Sequence, residues 1–216
     1  MQVKLVSMTQ PTLQLKRQGI KTPEDLIVYC ARVSNPSNQF NNQTAPKLTQ
    51  YLIKHKHWSP FEMVDMTVEI KTSRAIAAQI LRHRSFSFQE FSQRYSEVAN
   101  LEPIEWRMQG ETNRQVGDET FKLESELDGA IDHFLSTSVE VYNHLIANGI
   151  AKECARMILP LCTETTMYMK GSIRSWIHYI QIRAAQETQK EHREIAEEIK
   201  SIFISKFPNV AEALEW

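Results

Sequence analysis

Val64, Met66, Val68 and Ile70 alternate with polar partners in "MVDMTVEIKTS", and the chain then passes into "SRAIAAQILRHR". The period-two alternation predicts a half-buried strand. Ser73 is placed to cap a following helix. That helix carries Ala75, Ile76, Ala77, Ala78, Ile80 and Leu81, apolar nearly all round, so it is expected to be deeply packed. Arg82, His83 and Arg84 fall at its C-terminal end, where cations complement the helix dipole.

The flanks repeat this mixture of strands and helices. "VKLVSMTQP" begins as a strand and stops at Pro11. "TPEDLIVYCARVS" predicts a helix with Thr22 as N-cap, Pro23 in the first turn, and Glu24 and Asp25 at its positive end. "TAPKLTQYLIKHKHW" predicts another, with Leu48, Tyr51 and Leu52 on one face. Leu101 to Asp118 has no clear period and is expected to be a long loop. From Phe121 a long amphipathic helix carries Leu127, Ile131, Phe134, Tyr142 and Leu145, with Asn148-Gly149 as its stop. "AKECARMILP" is a short helix, "ETTMYMKGS" a strand, and "IRSWIHYIQIRAA" and "EHREIAEEIKSIFISKF" are two closing helices. There is no internal repeat. The expectation is an α+β fold with a small antiparallel or mixed sheet embedded among helices, as a single domain over residues 1–216.

The chemistry concentrates in "RHRSFSFQEFSQR", Arg82 to Arg94. Three arginines, a histidine, a glutamate, three serines and three phenylalanines share thirteen residues. A core strand does not carry Arg82, Arg84 and Arg94, and a solvated face does not carry Phe86, Phe88 and Phe91. The stretch reads as a wall that is both apolar and anion-seeking. The formal net charge of the 216-residue chain is −1, so no global basic field draws it to nucleic acid or acidic lipid. A local basic cluster favours a small anionic ligand. Apolar residues at 42% and charged residues at 24% are ordinary for a globular protein.

Cys30, Cys154 and Cys162 are scattered, which argues against a disulfide framework or a thiolate metal site. No secretion signal or membrane-length apolar run is visible, so a cytoplasmic location is expected. The six glycines build neither GxGxxG nor a P-loop. Any phosphate must therefore be held by arginine forks, for which Arg82, Arg84, Arg94, Arg156 and Arg183 are candidates. His55, His57 and Glu62 in "HKHWSPFE" lack a clearly spaced further ligand, and no metal is expected. Ser85, Ser87 and Ser92 sit in no nucleophile elbow.

"RHRSFSFQEFSQRY" resembles the signature of the flavin-dependent thymidylate synthases: Arg82-His83-Arg84, then Ser92 after seven residues, then Arg94-Tyr95. "HWSPFE", "ARMILP" and "SIRSWIHYIQIRA" are similar to other blocks of that family in the same order. The resemblance implies the thymidylate synthase-complementing fold and methylation of dUMP to dTMP. Methylenetetrahydrofolate is then carbon donor, NADPH reductant and FAD carrier. It implies a homotetramer whose active sites combine several subunits.

By the family pattern, Gln79, Arg82, Glu90, Phe91, Ser92, Gln93, Arg94, Arg156 and Arg183 contact dUMP. His57, Ser59, Arg82, His83, Arg84, Glu90, Ser172, Ile173, Arg174 and His178 contact FAD. Ser172 and His178 stand where the family commonly has Asn. Arg183 is the implied catalytic residue, at the O2/N3 edge of the uracil, and no cysteine is assigned a nucleophilic role. Two other classes compete. One is a single-stranded nucleic-acid binder using Phe86, Phe88 and Phe91 as a stacking platform. The other is a helical scaffold with its arginines in interfacial ion pairs.

Overall fold

A computed structural model describes residues 1–97, 100–111, 113 and 116–216; of Asp118 only the backbone is described. The expected strands and helices form an α+β fold. Four strands, β1 (Gln2–Met8), β2 (Asp65–Ser73), β3 (Ser87–Glu90) and β6 (Glu164–Ser172), make one wholly antiparallel sheet in the order β1-β2-β6-β3. Strands β4 (Arg107–Gln109) and β5 (Gly117–Thr120) pair separately. The helices are α1 (Leu13–Arg17), α2 (Pro23–Ala31), α3 (Ala45–Lys54), α4 (Arg74–Ile80), α5 (Ser125–Ala147), α6 (Lys152–Ala155), α7 (Ile173–Arg183), α8 (Lys190–Lys206) and α9 (Pro208–Ala213).

The alternation in β2 places Met66, Val68 and Ile70 at 0% exposure, and their partners Met167 and Met169 on β6 are equally covered. This face packs on Trp176, Tyr179 and Ile180 of α7 and Ile195, Ile199 and Phe203 of α8. Burying such a side chain contributes roughly 1.5–3 kcal/mol each. Both central strands run straight into helices. Ser73 accepts from the Ile76 N–H to start α4, and Ser172 accepts from the Ser175 N–H to start α7. Because Asp65 pairs with Ser172 and Ser73 with Glu164, the two helices leave opposite ends of the strand pair. Thr22 forms the expected cap of α2, in a full capping box with Asp25.

Four expectations need correction. The stretch from Leu101 to Asp118 is not all loop: β4 and β5 lie within it, too short to show a period, while Thr112, Arg114 and Gln115 lie outside the described residues. Gly117 belongs to that pairing because a Cβ there would stand 2.7 Å from Arg107 Cβ. Helix α4 is not covered all round, since Ala78 and Leu81 are exposed. On α3, Leu52 is buried but Tyr51 turns outward and stacks on His55 with ring centroids 4.3 Å apart. On α5 only Ser138 and Tyr142 are buried, and Leu127 and Phe134 are more than half exposed. No described helix is long and apolar enough to cross a membrane.

Candidate active site

The signature stretch begins where α4 ends. Leu81 caps the helix, His83 turns back with its N–H on the Ile80 carbonyl, and Phe86 follows with its N–H on the His83 carbonyl. Phe86 then packs edge-on against Trp176 at 4.6 Å between centroids, and both Phe86 and Phe88 lie against the core. They anchor the segment rather than offer a stacking platform, which removes the observation behind a nucleic-acid reading. Anchoring them leaves Arg82 and Arg84 outward.

A polar cavity opens beside this turn. Gln79, Arg82, Arg183, Glu187, Thr188 and Gln189 line it, and its volume of about 560 Å³ lies in the usual range for ligand sites. Arg183, the last residue of α7, donates from Nε to Nε2 of His83 over 2.9 Å. That nitrogen must be unprotonated to accept. Burial first, then the charges of Arg183 and His178, lower the His83 pKa to about 4. Tyr179 and His192 lie beneath, both at 0% exposure. Burial pushes the Tyr179 hydroxyl well up and the His192 imidazole down to about 3, the latter helped by Arg183 and His83. The guanidinium thus rests on three neutral groups. Among the described residues no carboxylate pairs with Arg82, Arg84, Arg156 or Arg183. A scaffold held by arginine ion pairs does not look like this.

Behind the cavity runs a chain of hydrogen bonds. Tyr179 Oη lies 3.1 Å from His192 Nε2, His192 Nδ1 3.3 Å from Gln79 Oε1, and Gln79 Nε2 2.7 Å from Gln189 Oε1. Gln189 Nε2 then donates to Glu191 Oε2 over 2.9 Å, and Arg107 of β4 holds the other oxygen of Glu191. Burial, the largest single influence, would raise the Glu191 carboxyl, but the bond and charge of Arg107, the backbone bond at Glu191 and the bond from Gln189 together hold the group below its usual range.

The other expected residues fall into further clusters. Glu90, Phe91 and Ser92 line a second cavity with Tyr95, Thr166 and Tyr168. Glu90 accepts from Thr165 Oγ1 at 3.0 Å and stands 3.5 Å from Arg74. Gln93 is 4% exposed with its Nε2 unpartnered, a buried donor of the kind that costs about 1–3 kcal/mol until an acceptor meets it. Arg94 and Arg156 converge on Glu153, Arg94 through its carboxylate at 3.5 Å and Arg156 through its backbone carbonyl at 3.4 Å.

A third cleft, about 440 Å³, is lined by Trp58, Glu62, Ser85, Arg174, Ser175, Ile177, His178 and Gln181. His57 and Ser59 flank Trp58 in sequence. Trp58 and Ile177 offer apolar surface to a flat ring, and Arg174, His178, Ser85 and Gln181 offer polar groups and charge around it. That donor set fits a phosphorylated flavin. Arg174 pairs at 2.9 Å with Glu62, both well exposed. Two expected members are otherwise engaged. Ser172 spends its hydroxyl capping α7, and Ile173 is a core residue at 0% exposure whose N–H donates to the Val64 carbonyl. Sequence reading did not assign Trp58, Ser85, Ser175 or Gln181 to a site. The spacing 174, 177, 178, 181 on one helix is the signal that points to Gln181. His55 and His57 border Tyr51, and no group of three metal-ligating side chains occurs among the described residues.

Fold and site together define an α+β protein in which Arg82 and Arg183, without a carboxylate partner among the described residues, line a polar cavity, and a partly apolar cleft opens on the same fold. Comparison with known proteins makes this specific. The family model described as "Thymidylate synthase complementing protein" matches residues 17–209. A probable flavin-dependent thymidylate synthase of Paramecium bursaria Chlorella virus 1 is 52% identical over 219 residues, covering 100% of both chains. The flavin-dependent thymidylate synthase of Synechocystis is 52% identical over 221 residues, again covering 100% of both. One from Thermus thermophilus is 34% identical, covering 88% of this chain and 70% of its own. The chain belongs to the flavin-dependent thymidylate synthase family. Its fold matches the UMP/dUMP methylase PolB of Streptomyces cacaoi, solved with 5-Br dUMP, with a TM-score of 0.82 over 99% of this chain and 94% of that one, at 24% identity.

Proposed function

We propose that the protein methylates dUMP to dTMP, taking the carbon from methylenetetrahydrofolate and reducing equivalents from NADPH. The carrying observation is the unneutralised Arg183–Arg82 cavity, in a chain whose full-length relatives are flavin-dependent thymidylate synthases. Methylation at C5 requires the uracil ring to become electron-rich. The Arg183 fork, turned by His83 and unpaired with any described carboxylate, stabilises charge developing at O2/N3. Gln79 of α4 and Arg82, just beyond its end, hold the same nucleotide. Glu90, Phe91, Ser92, Gln93, Arg94 and Arg156 complete its site.

His57, Ser59, Arg174 and His178 hold the flavin, with Arg82, His83, Arg84 and Glu90 at its junction with the nucleotide. Ser172 and Ile173 serve the flavin indirectly, by starting the helix α7 that carries Arg174 and His178. When bound and reduced by NADPH, the flavin would supply the hydride that completes the methyl group. No cysteine or serine is assigned as a covalent nucleophile, and burial raises the thiols of Cys30 and Cys162.

The nucleotide set is divided between separate cavities of one protomer. Together with the exposed Leu127 and Phe134 on α5, this supports a homotetramer whose sites are shared between copies. The absence of a membrane-length described helix and the unpaired cysteines agree with a cytoplasmic location. The test is the visible spectrum of purified protein after addition of FAD and gel filtration. Retained flavin bands, perturbed by dUMP, support the reading; a colourless protein that takes up no FAD overturns it.

A further inference from the structure

The hydrogen-bond chain behind the Arg183 cavity has only one consistent direction. Glu191 is a carboxylate held by Arg107, so it only accepts. Gln189 therefore turns its amide nitrogen to Glu191 and its oxygen toward Gln79. Gln79 answers with its nitrogen, which leaves its oxygen facing His192 Nδ1. That oxygen cannot donate, so Nδ1 carries the imidazole proton, and Nε2 accepts from the Tyr179 hydroxyl. A flip of Gln79 alone would set donor against donor at His192 and acceptor against acceptor at Gln189. Gln79 and Gln189 both line the cavity; His192 is fully covered and is not part of its lining.

We propose that Glu191, Gln189 and His192 are positioning residues that lock the Gln79 amide in one orientation. The locked amide presents a fixed N–H and a fixed oxygen lone pair to the nucleotide, tying substrate recognition to the β4 segment through Arg107. This rests on the reading of Gln79 as a nucleotide contact. The His192 imidazole is then a one-way connector, its tautomer dictated by a carboxylate two side chains away.

The test has a spectroscopic and a binding arm, both on the FAD-loaded full chain. In ¹⁵N-histidine-labelled wild type, with the His192 resonance assigned from its loss in His192→Asn, the Nδ1–H tautomer is expected. An Nε2–H tautomer overturns the proposal without need of any variant surviving. In dUMP titrations, His192→Asn keeps a donor near the Nδ1 position and binds within about twofold of wild type. His192→Gln keeps only the reach to Tyr179 and binds about tenfold more weakly, roughly the loss of one hydrogen bond. Equal weakening by both variants, or none by either, overturns the positioning role. Gln79→Ala separates the two claims. If it leaves dUMP affinity unchanged, the nucleotide contact at Gln79 is wrong and the positioning role falls with it, while the tautomer stands as a structural result. If it weakens dUMP and His192→Gln does not, only the positioning role fails.

Discussion

Arg183 donates its Nε–H to Nε2 of His83 over 2.9 Å, and the rest of its fork has no carboxylate partner among the described residues. A neutral acceptor orients the guanidinium without cancelling its charge. Arg183→Ala is expected to lower kcat by about 10²–10³, the usual loss for one donor at a developing oxyanion. Arg183→Lys recovers little, because an ammonium cannot hold His83 and present a planar fork together. Steady-state rates with dUMP affinities measured separately check this; a lysine variant of near wild-type kcat contradicts it.

The same cluster makes the fold acid-sensitive. An unfolded histidine takes its proton near 6.5, whereas native His83 resists until about 4 and His192 until about 3. Between about 6.5 and 3 the unfolded chain binds more protons than the native one, so stability is full above this window and falls as pH drops through it. Urea midpoints across this range should decline toward acid, and less steeply in His192→Leu. An unchanged slope in that variant would remove His192 from the account.

Gly171 gives way to the signature segment. A Cβ there would lie 2.5 Å from Phe86 Cδ1 and 2.6 Å from Cε1, and Phe86 is wedged against Trp176. Gly171→Ala is expected to destabilise by about 1–3 kcal/mol, as overpacking does, and to disturb FAD retention through the displaced turn. Adding Phe86→Leu relieves the clash and recovers part of the melting temperature. If Gly171→Ala melts like wild type, the contact is not tight.

What was legible in the sequence follows the strength of each physical signal. The alternation from Val64 to Ile70 and the caps at Thr22 and Ser73 are local rules, and each appears in the fold. Strands β4 and β5 are three and four residues long, below any detectable period. The exposure of Leu81, Leu127 and Phe134 was hidden because periodicity marks an apolar face without saying which surface covers it. In the site, arginine clustering was visible, but the inward turn of Phe86 and Phe88 was not, since composition gives no direction to a side chain. His192 drew no notice: a histidine in a charged helix carries no local sign that it is fully buried between Tyr179 and Gln79.

Ser92 tests the absence of a covalent nucleophile. It is exposed in a turn where its carbonyl accepts from the Tyr95 and Ser96 N–H groups at 3.0 Å. The nearest carboxylate in sequence, Glu90, is engaged by Thr165 and Arg74. A serine without a base is a poor nucleophile. Ser92→Ala should raise the dUMP concentration required yet leave measurable turnover. Total loss of product by a variant that binds dUMP and FAD normally would make Ser92 catalytic.

The central claim is tested most directly by product analysis. Purified protein is incubated with dUMP and carbon-labelled methylenetetrahydrofolate, with FAD and NADPH each added or omitted, and the nucleotides are separated. The account predicts labelled dTMP only when both are present, and almost none from Arg183→Ala. Labelled dTMP formed equally without FAD, or no dTMP from protein that binds both FAD and dUMP, would contradict it.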